Sequence, residues 1–420
     1  MVRTGGFSVQ NNLLKDSDLL KEHELLDIFY NLVSIPSPSK KEDNLIEWIK
    51  GFCQKEGINF RQDAYGNVYL KVEATDNTKQ PFAFSAHMDV VGDNSPVIPK
   101  LDGDFIYVGD RTLGADDKAG VACSLLLAKN IKNSSLKHGG FEAIFTRDEE
   151  SGMSGIDHVE FDKINSKYVM VLDADKMGQL QISGAGYTKL QITVEGLLGG
   201  HSGIDIQDKD RLNAMKLISE LVSELPQGVY YADESGVITS CNAGALVAGG
   251  VKPSNEYDIK TSKTFIDSLI NNSATNIINT YAKCSYSIRS ASAEKEEELK
   301  NIFVKKVNEF NEKYKNLAIS KIEFIPHLLP FEKANDDLIA KHHTLASEKA
   351  GVKNEISSFH AAAETHIYCQ KLNANGVKLM PFLLGTADVY NMHSERERVD
   401  YKSFLKGYEV IENLFYSLNS

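Results

Sequence analysis

Histidine and acidic residues follow several apolar segments of the sequence, at points where predicted strands end. The segment 81–91 contains His87 and Asp89, which would share one side of a strand because residues two apart face the same way. A histidine that binds a metal through one ring nitrogen needs its other nitrogen held, and Asp89 is placed to hold it. Taken alone, this segment is better explained as a capped strand end.

Two runs of adjacent acids carry further candidate groups. Asp116 and Asp117 lie among small residues before a predicted helix. The simplest role of Asp117 is to cap that helix, but the small neighbours also let the backbone pack closely around an ion. Asp148, Glu149 and Glu150 follow an apolar strand, and three like charges make a poor structural element unless they form a solvated turn. The two glutamates could serve separately as a metal ligand, which stays ionised, and a general base, which exchanges a proton.

The remaining candidates lie behind later strands. Asp173 ends an apolar segment and is followed closely by Asp175, and His393 comes shortly after the last predicted strand. Each of these residues, taken alone, is more commonly structural. Together the segments supply two imidazoles and at least three carboxylates at one edge of a sheet, where open α/β folds form ligand sites. This set suits two Zn²⁺ ions, or Mn²⁺ or Co²⁺, about 3.5–4 Å apart with a bridging carboxylate.

The spacing of apolar residues predicts the elements that would position these groups. The first part of the chain has predicted helices over 23–33, 41–52 and 118–130, a hairpin over 59–72, and strands over 81–91, 141–146 and 168–173. Strands that alternate with helices in this way indicate an α/β layer with a largely parallel sheet.

The pattern changes after Gly186 and returns near Leu328. The intervening predicted elements are strands over 187–195 and 284–289 and helices over 210–225 and 294–313, followed by a helix over 336–350 and a strand over 377–384. We therefore predict a discontinuous α/β catalytic domain over 1–186 and 328–420, with a mostly parallel sheet. An α+β lid domain is predicted as an insertion over 187–327.

Composition restricts the partners and the compartment. Lys and Arg number 46 and Asp and Glu 58, so the net charge is −12, which argues against nucleic acid or an anionic membrane surface as the main partner. The five scattered cysteines indicate a reducing compartment. The N-terminal residues are polar and no apolar run approaches the about 20 residues of a membrane span, so we expect a cytoplasmic protein.

Three strings in this order resemble one enzyme family. HMD at His87, GADDKAG at Gly114 and DEESG at Asp148 are similar to motifs of the zinc-dependent metallopeptidases that include peptidase T, carboxypeptidase G, aminoacylase and aminoacyl-histidine dipeptidase. The resemblance covers nearly the whole chain. It implies a two-domain metallopeptidase that hydrolyses short peptides as a homodimer formed through its lid. An edge strand of the lid, over 244–251, could pair across the two-fold axis.

The resemblance also assigns roles to residues of the predicted centre. His87 and Asp173 would bind the first metal, Glu150 and His393 the second, and Asp116 both. Asp89 would orient His87, and Glu149 would be the general base that takes a proton from the attacking water. The peptide bond between Asp116 and Asp117 would be cis.

Two residues of the predicted lid complete the set. His201, in the string GGHSG, would stabilise the oxyanion in the active site of a partner subunit, and Arg289, in SIRS, would bind the carboxylate terminus of the substrate. Without the resemblance, the simplest interpretation is that His201 is a histidine in a turn and Arg289 is a charged surface residue.

Some choices remain open on the sequence. The string LDAD leaves either Asp173 or Asp175 as the ligand, while an Asp at this point favours an aminopeptidase. Chain length and a single lid favour a tripeptide aminopeptidase of the peptidase T kind. The GGHSG string and FHAAAE at Phe359 favour an aminoacyl-histidine dipeptidase, and an N-acyl amino-acid amidohydrolase is a further alternative. A non-catalytic peptide- or metal-binding relative would lack the base, and Glu149 is present.

Overall fold

The computed structural model describes residues 13–234, 236–248, 277–334 and 336–420. The α-helices in this part of the chain are α1 (Leu19–Glu22), α2 (Glu24–Val33), α3 (Asp43–Glu56), α4 (Ala115–Asn133), α5 (Ala214–Glu224), α6 (Ala293–Lys313), α7 (Leu338–Ala350), α8 (Thr365–Tyr368) and α9 (Tyr401–Leu418). Short 3₁₀ turns cover Leu14–Asp16, Ile156–His158, Phe161–Lys163 and Asp205–Gln207. No helix of the described ranges is both long and apolar enough to cross a membrane.

The strands of the described residues form four sheets. They are β1 (Asn59–Gln62), β2 (Val68–Val72), β3 (Phe82–His87), β4 (Lys100–Asp102), β5 (Phe105–Tyr107), β6 (Phe141–Thr146), β7 (Tyr168–Ala174), β8 (Gln179–Gly184), β9 (Gly186–Glu195), β10 (Gly200–His201), β11 (Gly228–Ala232), β12 (Ile238–Ala248), β13 (Ile277–Ile278), β14 (Ala282–Ser290), β15 (Ile319–Leu328), β16 (Glu355–Phe359), β17 (Met380–Gly385), β18 (Val389–Tyr390) and β19 (Arg398–Asp400). Most predicted elements are present with ends shifted by a few residues.

The largest sheet confirms the predicted α/β class. Its strand order is β1-β2-β6-β3-β7-β17-β8-β16, and the four neighbouring strands β6, β3, β7 and β17 run parallel. Every residue of β3 and β6 is buried, as expected for parallel strands covered on both faces. Rings of Phe84, Phe141 and Phe415 meet edge to face across this core, with centroids 5.1 and 5.9 Å apart. Because β3 and β6 are parallel, their carboxyl ends place His87 beside Thr146.

Two compact units divide the chain. The first contains the described residues up to Ser183 together with Glu332–Ser357 and Ala363–Ser420, and the second contains Gly184–Phe331 and Ser358–Ala362. The predicted insertion over 187–327 did not include the returning segment Ser358–Ala362. This segment belongs to the second unit because the Phe359 carbonyl accepts the N–H of Ala185 (2.8 Å) and His360 Nε2 lies 3.0 Å from Ser240 Oγ.

The second unit is built on the five-stranded antiparallel sheet β11-β12-β14-β9-β15. Alternate residues of β9 and β14 are buried, which is typical of a sheet with one covered face. Leu190, Ile192 and Val194 face helices α5 and α6 in a separate apolar core. The opposite face carries residues such as Lys189 and Arg289.

Strand β12 was predicted only in part, and strand β15 was not predicted. The sequence indicated an edge strand over 244–251, whereas β12 begins at Ile238, and residues 249–251 lie outside the described ranges. Strand β15 contains charged residues and Pro326, which lacks a backbone N–H donor. Its place at the edge of the sheet accommodates a proline.

Candidate metal centre

His87 ends β3 and is almost completely buried. Its Nε2 lies 3.0 Å from Asp116 Oδ1 and 3.7 Å from Asp173 Oδ1. Its Nδ1 lies 2.9 Å from the backbone carbonyl of Asp89 and 3.6 Å from the carboxylate of the same residue. The ring is therefore held through Nδ1, mainly by the main chain of Asp89, while Nε2 faces two carboxylates.

Asp116 and His393 bring two distant parts of the sequence together. Asp116 precedes the regular part of α4, where Asp116 and Asp117 have non-helical dihedral angles and the bond between them is cis, as the resemblance implied. Asp116 Oδ2 lies 3.0 Å from Nε2 of His393, which also lies 3.1 Å from Glu150 Oε2. Asp116 thus directs one carboxylate oxygen toward each histidine.

Asp89 has a structural task beyond His87. Its Oδ1 accepts the backbone N–H of Glu149 (2.9 Å), and its Oδ2 accepts the N–H of Glu150 (3.1 Å) and the hydroxyl of Ser39 (2.7 Å). The carboxylate thus fixes the main chain that carries both glutamates. Sequence spacing suggested only the contact with His87.

The donor set fits a divalent cation. Ligand atoms of His87, Asp116 and Glu150 all lie within 4.8 Å of one another. Glu150 Oε1 is buried and has no hydrogen-bond partner among the described residues, so it is an oxygen available for coordination. Imidazole nitrogen and carboxylate oxygen are ligands that suit zinc and neighbouring transition metals.

Burial and the mutual proximity of the acids and histidines shift the pKa values of the cluster in opposite directions. Burial raises the pKa of Glu150 to about 7, and burial together with the charge of Asp116 raises the pKa of Asp173. Burial also raises the pKa of Asp116, but hydrogen bonds from the two histidines outweigh it and the net pKa is lowered. The hydrogen bond with Asp116 raises the pKa of His393 to about 9. A bound cation would favour the ionised form of these carboxyls.

The structure distinguishes the two aspartates of the LDAD string by position. Asp173 points toward the His87 ring, whereas Asp175 is exposed and its backbone carbonyl accepts the N–H of Val389. Asp173 is therefore the residue placed at the centre.

Two buried glutamates near the centre were missed by the sequence analysis. Glu42 accepts the backbone N–H groups of Lys40 (2.9 Å) and Asp148 (3.1 Å) and pairs with the guanidinium of Arg147. Glu397 accepts donors from the segment that leads into Asp116. Only the position of Glu397, four residues after His393, could have drawn attention to it. Glu42 gives no such signal.

The two remaining predicted residues belong to the second unit. His201 is exposed, and its Nδ1 accepts the N–H of Gly203 (3.1 Å), which leaves the proton of the neutral ring on Nε2. Arg289 is half-buried and lies over the ring of Tyr187, with 5.1 Å between the guanidinium carbon and the ring centroid. His360 lies near enough for the charge of Arg289 to contribute, after burial, to a lowered pKa.

Comparison with known proteins gives one family. Residues 83–417 match the sequence profile of "Peptidase family M20/M25/M40". The chain is 28% identical over 217 residues to the cytosol non-specific dipeptidase of Escherichia coli, a match that covers 44% of each chain. It is 31% identical over 148 residues to peptidase T of Halothermothrix orenii, covering 34% of this chain and 35% of the relative. Both matches span less than half of the relative's length.

A solved structure extends the similarity of fold to almost the whole chain. The crystal structure of aminopeptidase PepT from Bacillus cereus superimposes with a TM-score of 0.77 and 21% identity. The superposition covers 94% of this chain and 98% of the other.

Proposed function

Because the chain belongs to peptidase family M20/M25/M40, we propose that it is a metal-dependent aminopeptidase that hydrolyses the N-terminal bond of short peptides. The observation that carries this proposal is the convergence of His87, Asp116, Glu150 and His393, with one oxygen of Glu150 left without a partner among the described residues. Asp173 completes a set of five ligands for two divalent cations, which we propose to be zinc.

Glu149 is the proposed general base. When bound, the metal ions would lower the pKa of water and polarise the scissile carbonyl. Burial raises the pKa of Glu149, and the charges of His87, Asp116 and Asp89 also act on it, which supports this role. A carboxyl with a raised pKa can take a proton from the attacking water and deliver it to the departing amine. Asp89 holds Glu149 in place through its backbone N–H.

Two groups of the second unit are proposed to recognise the substrate. Arg289 would bind the carboxylate terminus of the peptide, since a guanidinium matches a carboxylate in charge and geometry. This contact would limit substrate length. His201 has an exposed ring with its proton on Nε2, as a donor to an oxyanion requires.

The proposed assembly is a homodimer formed through the second unit, in which His201 serves the partner's site. Strand β11 pairs with β12 only as far as Cys241, so the same edge of β12 from Asn242 to Ala248 has no strand partner within the described ranges. Such an edge can pair with a second copy across a two-fold axis. The loop around His201 also exposes Leu198, Ile204 and Ile206, which are 67%, 77% and 59% accessible. Apolar side chains exposed to this extent favour an interface.

A cytoplasmic location is part of the proposal. All five cysteines are free thiols, and four of them are buried. Burial raises the pKa of these thiols, for example to about 12 for Cys53, so they are unreactive and suited to a reducing compartment.

Metal analysis combined with a substrate panel tests the proposed function. The purified protein is expected to contain about two divalent ions per chain and to lose its peptidase activity on chelation. The panel compares dipeptides, tripeptides, tetrapeptides and N-acyl amino acids. Preference for tripeptides supports an aminopeptidase of the peptidase T kind, while preference for dipeptides favours a dipeptidase, the activity named for the Escherichia coli relative. Full activity in metal-free protein would refute the mechanism.

A further inference from the structure

The carboxylate of Glu397 is buried and accepts four hydrogen bonds from the residues that lead to Asp116. Its Oε1 accepts the backbone N–H groups of Ala115 (2.8 Å) and Asp116 (3.3 Å). Its Oε2 accepts the N–H of Gly114 (3.1 Å) and the hydroxyl of Thr112. All four donors come from residues 112–116, which we call the Asp116 segment.

These contacts occupy both oxygens of Glu397. Backbone N–H groups donate to each oxygen, and the hydroxyl of Thr112 adds a further contact to Oε2. A buried polar group with its partners present is tolerated, whereas leaving one of those partners unmatched is costly.

Glu397 also connects two proposed ligands. It lies in the connection between β18 and β19, four residues after His393, while its hydrogen bonds hold the main chain of Asp116. The carboxylate of Asp116 and the ring of His393 lie 3.0 Å apart. The side chain of Glu397 is thus a direct link between the loop of one ligand and the segment of the other.

We infer that Glu397 is a positioning residue that sets the separation of Asp116 and His393, and with it the affinity for the divalent ion they share. The inference rests on the proposed two-metal centre. Glu397 itself is not a ligand, because both of its oxygens are occupied by donors of the Asp116 segment. Outer partners of this kind commonly contribute about 10- to 100-fold to metal affinity.

Glu142 provides a matched control in the same unit. It is buried, and its carboxylate accepts the N–H groups of Asn165 (3.1 Å) and Ser166 (3.0 Å) and the hydroxyl of Ser166 (2.7 Å). Like Glu397, Glu142 is a buried carboxyl group that accepts backbone N–H groups and a hydroxyl. The segment that Glu142 holds, however, carries none of the proposed ligands. Loss of either carboxylate should therefore destabilise a loop, and only the loss of Glu397 should reach the metal centre.

Titration of metal-free protein with Zn²⁺ in the presence of a competing chelator tests the inference. Glutamine keeps the size of the side chain but sets an NH₂ group against backbone N–H donors. In Glu397→Gln one of the two ions is expected to bind about 10- to 100-fold more weakly. In Glu142→Gln both affinities should stay within about twofold of wild type, since no ligand segment is touched. Circular dichroism of each metal-free variant checks that it is folded.

The outcomes separate this inference from the proposed function. Wild-type protein that binds no Zn²⁺ would overturn the metal centre and this inference together. If wild-type protein binds two ions and the folded Glu397→Gln variant binds both with the same affinity, only the inference is overturned. If Glu397→Gln does not fold, Thr112→Val removes one donor and keeps the carboxylate. A severalfold weaker ion in Thr112→Val supports the inference, and unchanged affinity refutes it.

Discussion

Glu149 and Glu150 are adjacent residues of the same type with different proposed roles, so exchanging each for glutamine tests the mechanism. Both substitutions keep the side-chain volume and leave the backbone N–H bonds to Asp89 in place. The loop should therefore keep its conformation in both variants. What differs is the side chain, because Glu150 lies 3.1 Å from His393 and has a second buried oxygen free for coordination.

The expected magnitudes follow from these positions. Removing a general base commonly reduces the rate about 10²- to 10⁴-fold, which corresponds to about 3–5 kcal/mol of transition-state stabilisation. Glu149→Gln should show a loss of kcat of this size with two metal ions still bound. Glu150→Gln replaces a proposed carboxylate ligand by a neutral amide. Loss of a residue that only supports a ligand commonly weakens metal binding about 10- to 100-fold, so this variant should bind one ion weaker by at least that factor.

Two measurements on the same preparations suffice. Metal content is determined after dialysis against a weak chelator, and kcat is determined with a saturating tripeptide. A mechanism with separate roles requires high metal content in Glu149→Gln and reduced content in Glu150→Gln. Equal metal content in the two variants, or a Glu149→Gln enzyme with near-normal kcat, would contradict the assignment.

Three further predictions concern recognition, assembly and stability. Arg289→Ala should lower kcat/KM about 10- to 100-fold for peptides with a free carboxylate terminus, the value of a charge-assisted hydrogen bond, and should change little for C-terminally amidated peptides. Mixing inactive His201→Ala with inactive Glu149→Gln chains should restore about a quarter of wild-type activity, because half of randomly exchanged dimers contain one complete site; a mixture that stays inactive after proven subunit exchange would refute a shared site. Burial lowers the pKa of His343 to about 4, whereas the same side chain in the unfolded protein binds a proton near pH 6.5. The contribution of the neutral ring to the free energy of unfolding is therefore fully present above pH 6.5, and it should fall by about 3 kcal/mol as the pH drops to 4. The non-titrating His343→Gln variant should lose less stability over this range in urea unfolding, and an identical pH dependence would contradict the prediction.

The parts of the fold that the sequence predicted best are those with uniform burial. Strands β3, β6 and β7 are almost entirely apolar, and their boundaries lie within a few residues of prediction. Because parallel strands of this kind end at one edge, the motifs that follow them could be expected to meet. Strand β15 was different, since it is mostly half-buried or exposed and interrupted by a proline, so its pattern resembled a loop.

The candidate centre was predictable in its residue types and less so in its supports. His87, Glu150, Asp173 and His393 follow apolar segments, whereas Asp116 lies among small residues before a helix. The supporting contacts of Glu42 and Glu397 depend on segments distant in sequence. Nothing in local periodicity shows that a side chain accepts backbone N–H groups from a loop hundreds of residues away. The return of Ser358–Ala362 to the second unit depends on the same kind of distant contact.

The discontinuous first unit has a consequence for synthesis on the ribosome. Asp173 and the proposed ligands before it leave the ribosome ahead of the segment Gly184–Phe331, whereas His393 and Glu397 follow it. Domains tend to fold in the order in which they emerge, so the second unit can begin to fold while the proposed centre still lacks His393 and Glu397. A nascent chain therefore cannot assemble the complete proposed centre, or the activity proposed for it, before these two residues have been translated.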